Sequence, residues 1–349
     1  MNAHDAIDAL IGPPMVAVAD AIRGMIVAAP GHKLIAADFS QIEARVNPWL
    51  AGERSVLEAF RAYDRKEGPD IYRVTAAGVY GCDAAGVSGS QRQVGKVATL
   101  ALGFGGGPVA FAKMAKNYKL DVGDVYEPVH ASATEANLAK ARRGWDQRGK
   151  RSGMTERRWM TAELIKLAWR EANPATVRWW RDLEEAAMDA VRHPGEVFGA
   201  GEFIRYRKDG SFLWCQLPSG RKLCYPFPRI EMKRMPWLDD DEAPVFKPGL
   251  TYKSMNSVTK QWGDADFHRT IASENATQAT ARDVMVAGMF ELERAGYPIV
   301  LSIHDEVITE PPADFGSVAE VIALITKPRK WAPGLPVAAD GFEATRYRK

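Results

Sequence analysis

The stretch Lys33-Leu34-Ile35-Ala36-Ala37-Asp38-Phe39-Ser40-Gln41-Ile42-Glu43-Ala44-Arg45 passes from one kind of periodicity to another. Lys33 to Ala37 is a short apolar run after Pro30-Gly31, which predicts a buried strand. From Ser40 to Leu50 the spacing turns helical, with Ser40 available as an N-cap. Asp38 therefore stands where a strand hands over to a helix.

A second carboxylate is placed in the same way far along the chain. Ser273 to Ala295 has helical spacing and ends at Gly296, with Pro298 beyond it. The run Ile299 to Ile303 then meets His304-Asp305-Glu306, and Val307 to Thr309 follows, which predicts a hairpin with carboxylates at its tip. Taken alone, either Asp38 or Asp305 reads as a turn residue or a cap. If the two strand ends meet, the carboxylates repel, and burying either without compensation costs several kcal/mol. A divalent cation removes that cost, and hard carboxylate oxygens suit Mg²⁺, which keeps water and recruits phosphate oxygens.

Between these segments, Ser90 is a candidate cap for a helix from Gln91 to about Phe104, on which Arg92, Lys96, Leu100 and Phe104 recur every four residues. A Lys and an Arg at this spacing ordinarily form a solvated face. Here two cations precede two apolar groups and a glycine-rich end, a surface suited to a nucleoside triphosphate. Gly103 to Gly107 is no phosphate loop, since neither a Gly-Lys-Ser/Thr nor a preceding strand accompanies it. His304 beside Asp305 is no catalytic dyad, since neighbouring strand residues point to opposite faces and no nucleophile motif occurs.

Pro174 to Arg192 predicts another helix, with Trp179 and Trp180 on it and Pro194-Gly195 past its end. Ala139 to Trp159 carries eight cations against Asp146 and Glu156, an excess of +6. Leu217 to Phe227 predicts a turn and strand, and Asp239 to Glu242 a solvated acidic loop.

With 349 residues, the chain has length for about two domains. Its 46% hydrophobic and 26% charged residues place it among globular chains. A net charge of +2 names no partner by itself, so any nucleic-acid contact must come from local patches. Three cysteines without a CxxC disfavour a disulfide framework and a thiolate zinc site, which fits a reducing cytoplasm. No spanning segment and no secretory leader are read, so no membrane partner is expected.

In sequence order, three of these segments resemble the motifs of family A DNA polymerases, the DNA polymerase I type. Asp38-Phe39-Ser40-Gln41-Ile42-Glu43-Ala44-Arg45 resembles motif A. Arg92-Gln93-Val94-Gly95-Lys96, followed by Leu100 and Phe104-Gly105, resembles motif B on the family's O-helix, and His304-Asp305-Glu306 resembles motif C. The resemblance spans nearly the whole chain from about Ala21, and the segments Ala21 to Leu50, Leu217 to Phe227 and Glu274 to Glu310 further resemble the versions encoded by bacteriophages, which would place the protein in the cytoplasm of a bacterial host cell.

The resemblance implies an α+β right-hand polymerase fold. Its N-terminal palm part covers 1–60 with motif A, its helical fingers 61–265 with motif B and the basic insertion, and its C-terminal palm part 266–349 with motif C. It implies two Mg²⁺ ions held by Asp38 and Asp305, with the Phe39 carbonyl and Glu306 assisting. It assigns Arg92 and Lys96 to the phosphates, with Lys96 donating a proton to pyrophosphate, and Gln41, Glu43, Leu100 and Phe104 to the nucleotide. Glu43 would exclude a 2′-hydroxyl. Gln278 and His304 would contact template and primer. Apart from the resemblance, the +6 excess of Ala139 to Trp159 is expected to serve DNA or partner binding, with Arg142 and Arg143 the candidates for DNA. Leu100 stands where the family commonly has Phe or Tyr, and Phe104 where Tyr is usual.

Since 37 residues precede Asp38, the family's thumb and exonuclease domain are expected to be absent. The expected partners are then primer-template DNA, dNTPs and a separate thumb-bearing polypeptide. Arg92 and Lys96 are expected to lack ion-pair partners and to face the carboxylates across a cleft. A catalytically idle DNA-binding remnant is the alternative reading, and a single-subunit RNA polymerase a third, which Glu43 and the His304-Asp305-Glu306 form of motif C disfavour.

Overall fold

The computed structural model describes Asp5, Asp8, residues 12–238 and residues 243–347. The acidic loop at Asp239 to Glu242 lies outside the described residues. In chain order the first elements are α1 (Pro14–Gly24), β1 (Leu34–Phe39), α2 (Ile42–Ala51), α3 (Arg54–Asp64), α4 (Ile71–Tyr80) and α5 (Gly89–Leu102). Next come α6 (Pro108–Asn117), α7 (Tyr126–Ser132), α8 (Glu135–Gln147), α9 (Glu156–Ala172) and α10 (Pro174–Arg192). Seven strands follow: β2 (Val197–Ala200), β3 (Ile204–Asp209), β4 (Phe212–Gln216), β5 (Lys222–Pro226), β6 (Arg229–Leu238), β7 (Pro244–Met255) and β8 (Trp262–Phe267). The chain closes with α11 (Arg269–Arg294), β9 (Ile299–Ile303), β10 (Glu306–Thr309), α12 (Val318–Ile325) and β11 (Ala339–Ala344).

The chain divides into two compact units, one gathering the chain up to Ile42, Ala281–Pro333 and the chain from Val337, the other Glu43–Thr280 with Gly334–Pro336. No described helix is long and apolar enough to cross a membrane. Cys82, Cys215 and Cys224 are all free thiols.

The first unit is built on a four-stranded antiparallel sheet ordered β11-β1-β10-β9. The apolar run that begins with Leu34 makes β1 an interior strand, and Leu34 to Ala37 are almost wholly buried. Period-two alternation then sorts its side chains. Leu34 and Ala36 join Ile308 and Tyr347 in one core cluster, with Leu301, Ile303 and Phe342 packed against it. Helix α12 packs against β1 and β11.

The second unit holds α2 to α10 and two antiparallel sheets, β2-β3-β4-β5 and β6-β7-β8. Within 61–265, expected to be helical, the helices stop at Arg192 and Val197 to Phe267 is β-structure. Alternating sequences such as Ile204-Arg205-Tyr206-Arg207, punctuated by Asp209-Gly210, bury one face of a sheet and cannot bury one face of a helix. Helix α10 spans Pro174–Arg192 as its sequence predicts, with proline in the first turn. It packs its apolar stripe on β2, β3 and β4.

The cap of α5 is Ser88, not Ser90. Ser88 Oγ accepts from Gln91 N while Gln91 Oε1 accepts from Ser88 N, a reciprocal capping box. Gly95, inside Arg92-Gln93-Val94-Gly95-Lys96, lies where α4 and α5 touch backbone to backbone. A Cβ there would stand 2.0 Å from the Tyr72 carbonyl oxygen. Gly95→Ala therefore forces the helices apart, at a cost of about 1–3 kcal/mol or more. A lowered thermal midpoint by circular dichroism checks it, and an unchanged midpoint would mean that the helix pair yields freely.

Candidate active site

The first unit brings Asp38 and the 304–306 segment together. Asp38 on β1 is paired in register with Glu306 on β10, and Phe39 N donates to the Asp305 carbonyl at 3.1 Å. Residues directly opposite each other in an antiparallel pair project to the same face. The same register on the other flank pairs Asp38 with Asp340 on β11. Asp340, Asp38 and Glu306 thus form a row across three adjacent strands, at the end of a face otherwise filled by the Leu34–Ala36–Ile308–Tyr347 core. Asp305 occupies the turn just before Glu306 and is half-buried, as is Asp38.

Both turns beside this row hold a residue in the left-handed region. Gln41 has φ 55° and His304 φ 53°, conformations that cost a non-glycine residue free energy and gather at functional sites. The Gln41 geometry delays the start of α2 to Ile42, two residues later than the spacing suggests. Ser40 is instead tied to β11: its Oγ donates to Asp340 Oδ2 at 3.0 Å and its N–H to the Ala338 carbonyl. Glu306 is buried, and its Oε2 accepts the Tyr347 hydroxyl at 2.6 Å.

Among the described residues no group of three or more His, Cys, Asp or Glu side chains forms a metal cage. Mg²⁺ does not need one. It is typically held by one or two carboxylates, waters and substrate phosphates. Hard oxygens from Asp38 and Asp305 at the open end of a sheet fit that habit.

In the second unit, α5 carries Arg92, Lys96 and Leu100, all half-buried, while Phe104 lies in the turn beyond its end at Leu102. The expectation that the two cations lack ion-pair partners is corrected for Arg92, whereas Lys96 makes no ion pair among the described residues. Arg92 Nε donates to Asp70 Oδ2 at 3.0 Å, and its guanidinium lies 5.1 Å from the Tyr72 ring centroid. The cause is Asp70, which caps α4 with its other oxygen and so turns an acceptor toward α5. Lys96 Nζ lies 5.0 Å from the Tyr118 ring centroid, a cation–π contact.

Leu100 and Phe104 line a cavity of about 390 Å³, together with Glu43, Asn47, Tyr118, Trp169 and Glu274. Its walls are fixed from behind. Asn47 Nδ2 donates to Ser273 and Thr277 at 3.3 Å, tying α2 to α11, and Trp169 stacks on Trp180. Arg170 holds the glycine-rich segment after α5, donating to the Gly105 and Gly106 carbonyls at 3.4 Å. Burial lowers the Arg170 pKa from its usual value, with Glu163 acting in the opposite direction. Gly106 is required at this point, because a Cβ would fall 2.0 Å from the Ala101 carbonyl oxygen.

Gln278 is exposed on α11, and His304 is exposed in its turn. The cations of 139–159 are largely neutralised by acids, several of them outside that stretch. Arg142 pairs with Glu156, Arg148 with Glu163, Arg157 with Glu127 and Arg158 with Asp121. Arg143 has no ion pair among the described residues. Asp340, Tyr347, Asp70 and Arg170 are site-supporting residues that the sequence did not flag. Their roles arise from strand register and helix crossing, for which no local spacing exists.

The model of DNA polymerase family A matches residues 13–127. A DNA polymerase of Bacillus phage SP02 is 33% identical over 349 residues, covering 99% of this chain and 46% of that protein. DNA polymerase I of Pseudomonas aeruginosa is 41% identical over 92 residues, covering 26% of this chain and 10% of that protein. Among solved structures, the POL domain of Pol1 from M. smegmatis, in complex with DNA primer-template and dNTP, superimposes with a TM-score of 0.52 at 15% identity. It covers 93% of this chain and 42% of that chain. The chain thus spans less than half the length of each of these three proteins.

Proposed function

We propose that the chain is a member of DNA polymerase family A and the catalytic body of a template-directed DNA polymerase, transferring deoxynucleotides to a primer 3′-hydroxyl, a reading supported by the family and phage-polymerase similarities. The observation that carries the proposal is the register that sets Asp38 beside Glu306, with Asp305 next to it in the turn. Asp38 and Asp305 hold two Mg²⁺ ions in this proposal, assisted by the Phe39 carbonyl and Glu306. When bound, the ions supply acidification of the 3′-hydroxyl and charge neutralisation of the triphosphate and leaving pyrophosphate.

The chain's own groups do the rest. The Lys96 ammonium binds the triphosphate and donates its Nζ proton to pyrophosphate, and Arg92, oriented by Asp70, adds a second cation. Leu100 and Phe104 support the base and sugar, and Gln41 is assigned to the nucleotide as well. Glu43, exposed at the rim of the cavity, excludes a 2′-hydroxyl. Gln278 and His304 contact template and primer. Arg143 remains a candidate for DNA, whereas Arg142 must first leave Glu156.

Lys96→Ala is expected to weaken Mg²⁺-dependent dNTP binding at least about tenfold, the value of one hydrogen bond to a charged group. Equilibrium binding of a fluorescent dNTP reads this, and unchanged affinity removes Lys96 from the site. The whole proposal is tested by gel-resolved extension of a labelled primer at low salt, with Mg²⁺ and dNTPs, for the chain alone and with a thumb-bearing polypeptide added in trans. We expect weak, distributive extension that rises with the added polypeptide. Primer-template binding without extension in either arm would make the chain an idle DNA-binding module.

A further inference from the structure

The sheet β2-β3-β4-β5 has one face packed on α10 and one face in solvent. The solvent face of a sheet is usually polar, but this one carries a row of rings. Phe212 and Trp214, two positions apart on β4, share it, with ring centroids 5.7 Å apart. Phe227, just past β5, extends the row with its centroid 6.3 Å from that of Phe212. Phe212 is 39% exposed and Phe227 54%.

Phe227 has φ 50°, a left-handed conformation that a bulky residue adopts only at a cost. Its N–H donates to the Ser211 carbonyl at 2.7 Å, which closes the turn and holds the ring in place. Strain of this kind persists where the surroundings enforce it, commonly at ligand clamps.

Cations frame the rings. Arg207 is directly opposite Trp214 in the β3–β4 register, and Arg205 and Lys222 flank Gln216 one row away. The guanidinium of Arg205 lies across Gly199 on β2, close enough that a Cβ there would stand 3.4 Å from it. The acid on this face is Asp209, which pairs with Arg207 at 3.0 Å; both side chains are about half exposed, so a phosphate can replace it.

We infer that this face is a binding platform for single-stranded DNA, with bases stacking on Trp214, Phe212 and Phe227 and phosphates meeting Arg205, Arg207 and Lys222. An antiparallel sheet with rings at its centre and cations at its rim matches the needs of an unpaired strand, whose bases offer flat faces of any sequence and whose backbone is a line of negative charge. A duplex hides its base faces and has no use for the rings.

The test is fluorescence anisotropy of a labelled oligothymidylate with the full chain, in EDTA and without dNTPs. Trp214→Ala should weaken binding about tenfold, as loss of one base–aromatic stack does, and Trp214→Phe should restore most of it. Combined Arg205→Ser, Arg207→Ser and Lys222→Ser should reduce the slope of log affinity against log salt by about 2, the contribution of three single-strand phosphate contacts. Asp38→Asn, which removes catalysis under the proposed function, should leave this binding unchanged, so the two readings fail separately. Unchanged affinity and slope in the Trp214 and cation variants would overturn the inference. So would a change confined to sedimentation behaviour, which would make the face a contact between copies of the chain.

Discussion

Asp38→Asn is expected to abolish primer extension while raising the stability of the metal-free protein. The two effects have one origin. Asp38 lies between Asp340 and Glu306 in a row of carboxylates, and like charges directly opposite each other in a sheet are destabilising by about 0.2–1 kcal/mol per pair. Asparagine keeps the shape and removes the central charge, so unfolding in EDTA should shift to higher denaturant. The same charge holds the cation in the proposed reaction. Metal assistance contributes several kcal/mol to a transition state, so its loss should lower single-nucleotide incorporation by about three orders of magnitude or more. Mg²⁺ should stabilise the unsubstituted chain and do so less in the variant. Asp305→Asn should show the same catalytic loss. Synthesis within tenfold of the unsubstituted chain in either variant would remove the carboxylate pair from the reaction.

Arg45→Ala should do the reverse, costing stability before chemistry. Arg45 belongs to the same motif-A-like stretch, but its guanidinium is 1% exposed and faces α3, not a substrate. It donates to Asp64 through Nη1 at 2.6 Å and Nη2 at 2.7 Å, and its Cζ lies 4.4 Å from the Phe60 ring centroid. Removing one partner of a buried ion pair typically costs about 3–5 kcal/mol, and the partial exposure of Asp64 puts this site near the lower end. Urea unfolding measures it. Arg45→Lys should recover only part, because an ammonium cannot reproduce the two parallel bonds of the fork. A loss below about 1 kcal/mol would show that α2 and α3 are held together by apolar packing alone.

These two residues show what was legible in the sequence and what was not. The strand-to-helix passage around Asp38 and the hairpin tip at His304–Asp305 were readable because each is a local change of period, and α10 was readable from its proline start to its end. The Ser88 cap was also local, since Ser88 and Gln91 have capping-box spacing, but Ser90 offered a competing hydroxyl two residues on. Other features are products of long-range register. Asp340 joins the carboxylate row only because β11 lies beside β1, and Asp70 claims Arg92 only because α4 and α5 cross at Gly95. The +6 excess of 139–159 loses its force for a similar reason. Glu127, Asp121 and Glu163, which neutralise much of it, come from elsewhere in the chain.

The strand order β11-β1-β10-β9 also bears on how the protein fails. Strand β1 is interior only because β11, contributed by residues 339–344, covers its outer edge. Proteolysis or truncation near Val337 would bare a row of unpaired amides along Leu34-Ile35-Ala36-Ala37, an apolar and uncharged segment. Such an edge recruits strands from other molecules. Damage at the C-terminus should therefore appear first as aggregation, and preparations lacking these residues should precipitate before their activity can be assayed.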